Sequence, residues 1–257
     1  MQPNSYLSYS LLAWTEPIIT PPADYEEEVG YCVKILQENS PSELKTLLHL
    51  GCGAGGYDFI FKRFFQVTGV DISPEMLAIA RQTNPELTYV QGDMRNLQLC
   101  ACFDAVIIPD AIDYMVTLPD LKRVIAVARQ HLKPGGVLVI VGKTREEFWH
   151  NNFCYRGGND AVEITIFENN YILPGDPPTS YEATLVYLIR QGGELTIHCD
   201  RHLLGLFAQS DWQSAFQEAG LPVKQTRWDG GYEPFLFPEG DYPMQVFVAL
   251  NPPTVYS

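Results

Sequence analysis

The feature that most constrains this chain is a short apolar strand that runs into a glycine-rich turn and then into a helical pattern. Leu47–Leu48–His49–Leu50 leads straight into Gly51–Cys52–Gly53–Ala54–Gly55–Gly56, and a helix pattern follows around Phe59–Phe65. Glycines suit such a turn because the backbone must bend sharply and approach a ligand with no Cβ in the way. The alternation then continues. Val67–Asp71 reads as a strand, Pro74–Gln82 as a helix, and Leu87–Gln91 and Asp104–Ile108 as strands. Leu118–Leu132 is an amphipathic helix ending at Lys133–Pro134–Gly135–Gly136, and Val137–Val141 is a fully apolar strand. Repeated strand–helix–strand units predict a parallel sheet with helices on both faces.

The flanks read differently. Tyr25, Val29, Val33 and Leu36 recur at helical spacing, with Asp24 as candidate cap and Glu26–Glu28 favouring the N-terminal end. From about Glu163 the period falls to two. Glu163–Glu168, Thr179–Arg190 and Glu194–His202 are separated by Pro174–Gly175–Asp176–Pro177 and by Gly192–Gly193, the pattern of antiparallel hairpins. Ser210–Gly220 returns to helix, with Ser210 or Asp211 as cap, and Pro222–Trp228 and Gln245–Leu250 are two closing strands.

The glycine turn admits two parsings. As Gly51-x-Gly53-x-x-Gly56, with Asp71 ending the next strand, it fits a dinucleotide fingerprint and an NAD(P)-dependent oxidoreductase. As Leu50–Gly51–Cys52–Gly53–Ala54–Gly55 it fits the first motif of a second family, and further motifs follow in that family's order. They are Val70–Asp71–Ile72–Ser73–Pro74–Glu75–Met76–Leu77, Gln91–Gly92–Asp93–Met94, Phe103–Asp104–Ala105–Val106–Ile107–Ile108–Pro109–Asp110 and Leu132–Lys133–Pro134–Gly135–Gly136. On these segments the chain resembles class I S-adenosylmethionine-dependent methyltransferases. A two-half dinucleotide domain needs a second mononucleotide unit after Val141, where this sequence turns to hairpins.

The resemblance implies a Rossmann-like, doubly wound, mostly parallel seven-stranded α/β sheet carrying an inserted antiparallel β-hairpin region. It implies S-adenosyl-L-methionine as cofactor and S-adenosyl-L-homocysteine as product. Gly51, Cys52, Gly53 and Gly55 would cradle the methionine end, and Asp71 would accept from the ribose hydroxyls. Ile72 would pack on adenine, with Met76 in the same motif, while Asp93 and Met94 would meet the adenine edge. Pro109 would offer its carbonyl. His49 and Pro109 depart from the family, which usually has an acid near the first and a side-chain donor near the second; a non-catalytic cofactor-binding protein is the reading these departures keep open.

Outer segments are similar to a bacterial subgroup related to small-molecule and amino-sugar N-methyltransferases. These segments are Thr20–Pro21–Pro22–Ala23–Asp24–Tyr25–Glu26–Glu27–Glu28, Tyr187–Leu188–Ile189–Arg190 and Asp200–Arg201–His202–Leu203–Leu204–Gly205–Leu206–Phe207. The implied organisation is an N-terminal lid and helix over 1–40, a cofactor-binding core over 41–145, a β insertion over 146–208 that walls the acceptor, and a C-terminal part of the core sheet over 209–257. Tyr25 is carried over as a lid contact.

Composition narrows the partner. The chain has 257 residues, with 17 Lys and Arg against 31 Asp and Glu, a net charge of −14. Nucleic-acid affinity comes largely from basic side chains neutralising phosphates, so a nucleic acid or an anionic membrane surface is disfavoured and a small-molecule acceptor expected. Six scattered cysteines and no long apolar run predict a soluble cytoplasmic chain, with a homodimer as an allowed assembly.

Methyl transfer from a sulfonium is an in-line displacement, so the protein mainly positions the acceptor and excludes water. Asp113 and Tyr114, just beyond the fourth strand, are candidates for that work, with His150 and with His202 in the last hairpin strand. His198, Asp200 and His202 alternate by two and would share one strand face. A polar ladder on the solvated face is the expectation for them, and no metal site is predicted. Tyr181, Tyr187, Phe207, Trp212 and Trp228 are expected to be core.

Overall fold

A computed structural model describes residues 6–229, 231–239 and 241–252. Its larger sheet has seven strands: β1 (Thr46–Leu50), β2 (Gln66–Asp71), β3 (Thr88–Gln91), β4 (Phe103–Pro109), β5 (Leu132–Gly142), β10 (Val223–Trp228) and β11 (Met244–Leu250). Their order across the sheet is β10-β11-β5-β4-β1-β2-β3. Strands β1 to β5 run parallel, while β11 lies antiparallel to β5 and β10 antiparallel to β11.

The order follows from the sequence pattern. Leu47 faces one apolar cluster while Leu48 and Leu50 face the other, as a period of two requires, and all three are buried because both faces are covered. On one side lie α2 (Glu26–Asn39) and α3 (Gly56–Phe61); on the other, α5 (Leu118–Gln130) and α6 (Gln209–Glu218). Helix starts are set locally. Ser73 caps α4 (Pro74–Thr83) by accepting from Met76 N at 3.0 Å, and Thr117 caps α5 by accepting from Asp120 N at 3.2 Å.

The second sheet has four antiparallel strands in sequential order: β6 (Asn151–Gly158), β7 (Val162–Ile172), β8 (Ser180–Gln191) and β9 (Glu194–Gly205). Phe153, Tyr181, Ala183 and Leu204 join the same apolar cluster as β1, β4 and β5, so its inner face is packed on the large sheet. The segment 6–15, here the strap, lies against its other inner residues. Leu12 packs with Val162, Ile164, Ile166, Tyr187 and Ile189. After the short α1 (Glu16–Ile19) the strap leads into α2 through a 3-10 turn, Pro22–Tyr25.

Several boundaries differ from the sequence reading. The fifth strand starts at Leu132, not Val137, because Leu132 pairs with Phe103 and the helix before it stops at Gln130. Helix α3 begins at the glycines and ends at Phe61. Asp24 sits inside the 3-10 turn instead of capping α2. Residue Ala208 precedes α6, and Asp211 reaches back to accept from Ala208 N at 3.0 Å. Strand β6 has no hydrophobic alternation to announce it. Cross-strand amides hold it instead: Asn170 Nδ2 donates to Asn151 Oδ1 at 2.9 Å and Asn169 Nδ2 to Asn152 Oδ1 at 2.8 Å. No helix among the described residues is long and apolar enough to cross a membrane.

Candidate active site

The site lies at the carboxyl ends of β1, β2 and β4, where open α/β sheets bind ligands. Gly51, Gly53 and Gly55 all have positive φ, at 75°, 53 being at 52° and 55 at 76°. A Cβ on Gly51 would stand 2.2 Å from the Cβ of Ala111, so the turn packs closely on the chain beyond β4. A Cβ on Gly53 would meet nothing within 4 Å, so this face of the turn opens onto free space. Asp71 fixes the turn from the next strand: its Oδ2 accepts from Gly53 N at 2.8 Å and its Oδ1 from Ser73 N at 2.9 Å. Burial raises the Asp71 carboxyl, against the pull of those backbone N–H groups. Each oxygen retains a lone pair for a diol. The open turn and a carboxylate with spare acceptor capacity fit S-adenosylmethionine.

The remaining residues expected to bind cofactor surround this turn. Cys52 is buried, and Met76 is buried with Ala54 and Ala13 of the strap. Ile72 and Pro109 are half-buried, and Met94 packs against the core on the far side of the sheet. Tyr25 lies over Gly56, where a Cβ would come 2.4 Å from its ring, and its hydroxyl donates to Glu16 Oε1 at 2.8 Å. Asp93 is gripped by Arg95, with Nε 3.0 Å from Oδ1 and a terminal nitrogen 2.6 Å from Oδ2, a pairing the motif does not reveal. His49 is buried and pairs through Nδ1 with buried Asp58 Oδ1 at 2.7 Å, so the acid absent from β1 is supplied by α3.

Beyond β4 the chain forms an acid-lined recess. Asp110 is the one non-glycine residue described with positive φ, at 53°, a conformation that costs roughly 1–3 kcal/mol and concentrates at functional sites. Its side chain is 39% accessible, while Oδ1 itself is buried. Tyr232 donates to its Oδ2, and Lys143 Nζ stands 3.9 Å from its Oδ1, which makes no hydrogen bond. Burial pushes its carboxyl up to about 6 despite Lys143, with Asp113 and Glu168 adding to the rise. Burial and Asp110 push Glu28 of α2 up to about 7. Tyr57, Tyr155, Tyr181 and Tyr242 feel these same carboxylates, so the recess is walled by phenols.

Of the four candidates for acceptor chemistry, two meet. Tyr114 Oη is 2.6 Å from His202 Nδ1 and 2.5 Å from Tyr9 Oη. Asp113 turns away, accepting from Lys143 Nζ at 2.6 Å and Tyr181 Oη at 3.0 Å, a buried ion pair that braces the recess wall. The solvated-face expectation for β9 is overturned: Asp200 and His202 are buried, because the strap covers that face. His150 is exposed and accepts from Ile172 N at 3.1 Å, away from the recess. Tyr9, Ser8, Glu28, Glu168 and Asp110 were not legible as site residues. Asp110 carried one signal, its place directly after a strand-ending proline.

The fold is that of the class I S-adenosylmethionine-dependent methyltransferases, and the glycine–Asp71 geometry fits their cofactor. Comparison with known proteins agrees. Residues 47–136 match the methyltransferase domain family. The chain is 29% identical, over 78% of its length and 85% of the relative's, to dTDP-3-amino-3,4,6-trideoxy-alpha-D-glucopyranose N,N-dimethyltransferase of Streptomyces venezuelae. It is 27% identical, over 78% and 79%, to dTDP-3-amino-3,6-dideoxy-alpha-D-glucopyranose N,N-dimethyltransferase of Streptomyces fradiae. Among solved structures it superposes on Streptomyces venezuelae DesVI with a TM-score of 0.76 at 25% identity, covering 96% of this chain and 97% of that one. The sugar N-methyltransferase KedS8 from Streptoalloteichus gives 0.75 at 22% identity, covering 95% and 92%.

The fold is that of the class I methyltransferases, and S-adenosyl-L-methionine is the methyl donor. The dinucleotide parsing of the turn is set aside by the chain after Val141, where β11 and β10 close the sheet in place of a second mononucleotide unit.

Proposed function

We propose that the chain methylates the amino nitrogen of a small amino sugar, in the manner named for its curated relatives. The observation that carries the reading is the recess at Asp110. Three carboxylates, Asp110, Glu28 and Glu168, interact there across a phenol-lined space, and burial raises two of them. Such a wall stabilises a cationic amine and gives a neutral hydroxyl far less, because the amine's charge answers a cost that burial has imposed.

In this reading Gly51, Cys52, Gly53 and Gly55 hold the methionine end of the donor, and Asp71 its ribose. Ile72, Met76, Asp93 and Met94 line its adenine, with the Pro109 carbonyl and Tyr25 at the reacting end. The bound donor supplies an electrophilic methyl group. The protein's part is to orient the amine beside it, exclude water and accept the proton the amine must lose. Residues 1–40 and 146–208 serve as lid and acceptor wall around a core of 41–145 and 209–257. The chain works in the cytoplasm on a soluble metabolite, without nucleic acid or membrane, and a homodimer would leave this site within one subunit.

Calorimetric titration with S-adenosylhomocysteine, with NADH as control, comes first. Purified protein is then incubated with S-adenosylmethionine and a dTDP-linked amino sugar, and mass spectrometry follows additions of one and two methyl groups. Methylation of the amine, and none of the hydroxyl analogue, is expected. Methylation of the hydroxyl analogue alone would overturn the nitrogen assignment, and binding without turnover of either would favour the non-catalytic reading.

A further inference from the structure

A second group of buried polar side chains lies beside the recess and takes no part in the argument above. His202 Nε2 is 2.8 Å from Asp200 Oδ2, and His202 Nδ1 is 2.6 Å from Tyr114 Oη. Tyr114 Oη is in turn 2.5 Å from Tyr9 Oη. Asp200 Oδ2 also accepts from Ser8 N at 2.7 Å and from Ser8 Oγ at 2.8 Å. Tyr187 Oη donates to Ser8 Oγ at 2.8 Å, and the Tyr6 ring stacks on His202 with centroids 4.1 Å apart. Four segments of the chain (the strap, the turn after β4, β8 and β9) meet here. One end of the group is closed by Asp200. The other is Tyr9, whose carbonyl accepts from Ser73 Oγ at 2.6 Å, two residues beyond Asp71.

We propose that Tyr9, Tyr114 and His202, backed by Asp200, form a proton path that takes the proton from the acceptor ammonium. The proposal rests on the amine reading above. An ammonium has no lone pair, so one N–H proton must leave before the nitrogen can form its bond to the methyl carbon. That proton passes to Tyr9 Oη while the N–H bonding pair stays on nitrogen. The Tyr9 hydroxyl proton passes to Tyr114 Oη, and the Tyr114 proton to His202 Nδ1. The result is a neutral amine and an imidazolium beside a carboxylate. The transfer then forms the N–C bond as the donor's C–S bond breaks, its electron pair remaining on sulfur.

The environment sets each role. Asp200 is buried, which opposes charge, yet the hydrogen bonds from His202 and Ser8 prevail and hold its carboxyl down at about 2. It therefore rests as an anion, takes the Nε2–H of His202 and leaves Nδ1 as the acceptor. Burial pushes the Tyr9 and Tyr114 hydroxyls up, so both carry protons as hydroxyls and do not rest as phenolates. The titratable groups facing His202 are Asp200 on its own strand, Tyr114 after β4, Tyr6 and Tyr9 of the strap, and Tyr187 of β8 through Ser8. Glu168 of β7 acts on Tyr9, Tyr114 and Tyr187. Asp200 touches no substrate; it is a positioning residue.

Two readouts test this on the full chain saturated with S-adenosylhomocysteine or S-adenosylmethionine. Nitrogen-15 NMR of the histidine rings should find the His202 proton on Nε2, toward Asp200, with Nδ1 accepting from Tyr114. The Nδ1 signal should move in Tyr114→Phe, and the tautomer should change in Asp200→Asn. Single-turnover methylation of a dTDP-linked amino sugar between pH 5.5 and 9 should then fall by about 100-fold in His202→Gln, a typical general-base contribution. KM should change little, and the low-pH limb of the rate should move up in pH. Retained binding of S-adenosylhomocysteine shows that the variant is folded, and Tyr114→Phe serves if His202→Gln is not. An unchanged pH limb, or a proton on Nδ1, would overturn the path. Should the wild-type protein leave the amino sugar unmethylated, the amine reading fails on its own, and the ring tautomer alone decides whether the hydrogen-bonded path exists.

Discussion

The proposed donor side and the proposed acceptor side of the site are built on different scales. On the donor side, Asp71 fixes a turn only 18 residues earlier in the chain, and the contact is with backbone. On the acceptor side Tyr114 meets His202 across 88 residues, and Ser8 meets Asp200 across 192, side chain to side chain. A site made of backbone and one carboxylate tolerates change in its neighbours. A site made of side chains from four segments changes whenever any of the four does.

That contrast can be broken or sharpened by experiment. The largest effect is expected at the recess wall. Lys143→Met leaves the Asp113 carboxylate buried without its cation and should cost about 3–5 kcal/mol of unfolding free energy. Denaturant titration would measure it, with most of the loss recovered when Asp113→Leu is added. Next comes Asp71→Ala. Losing a charged acceptor for two hydroxyls should weaken S-adenosylhomocysteine about 100-fold, roughly 3 kcal/mol, by calorimetry. Wild-type affinity in a folded Asp71→Ala protein would remove that residue from the donor site.

A smaller effect concerns pH. Asp110 and Glu28 have their carboxyls raised to about 6 and about 7, so the folded chain holds these protons more tightly than the unfolded one. Their contribution therefore favours folding below about pH 4 and declines as pH rises through 4 to 7. Thermal unfolding of the free protein should show a midpoint falling across that window, and Asp110→Asn should flatten the slope. The smallest effect is expected from Arg95→Ala, which frees a half-exposed Asp93. A change in S-adenosylhomocysteine affinity beyond about three-fold would show that Arg95 itself belongs to the donor site.

The glycine turn and Asp71 were legible because their signals are local. A glycine turn needs glycine where φ is positive, and turn, helix, strand and acid follow within 21 residues, from Gly51 to Asp71. The parallel core followed for the same reason. Asp110 escaped notice because its positive φ is held by tertiary packing and no glycine marks it. Alternation in β9 correctly put Asp200 and His202 on one face, but period two does not say which face is covered, and the strap that covers it lies near the other end of the sequence. Asp113 and Tyr114 looked equivalent in sequence. A 3-10 turn, Ala111–Tyr114, sends one toward Lys143 and the other toward His202. Strand β6 stayed hidden because paired asparagines and a single buried Phe153, not an apolar alternation, hold its place.

The meeting of Ser8 with Asp200 also has a consequence for the order of assembly on the ribosome. The strap emerges before the core strands, but its polar partners on β9 are among the later segments to be made. Contacts between residues so distant in sequence form slowly, after local ones. A nascent chain can thus complete β1 to β5 and the glycine turn while the strap still hangs free. Competence to hold the donor would precede the closed acceptor chamber, and the strap, made ahead of the core, would be among the last segments to settle.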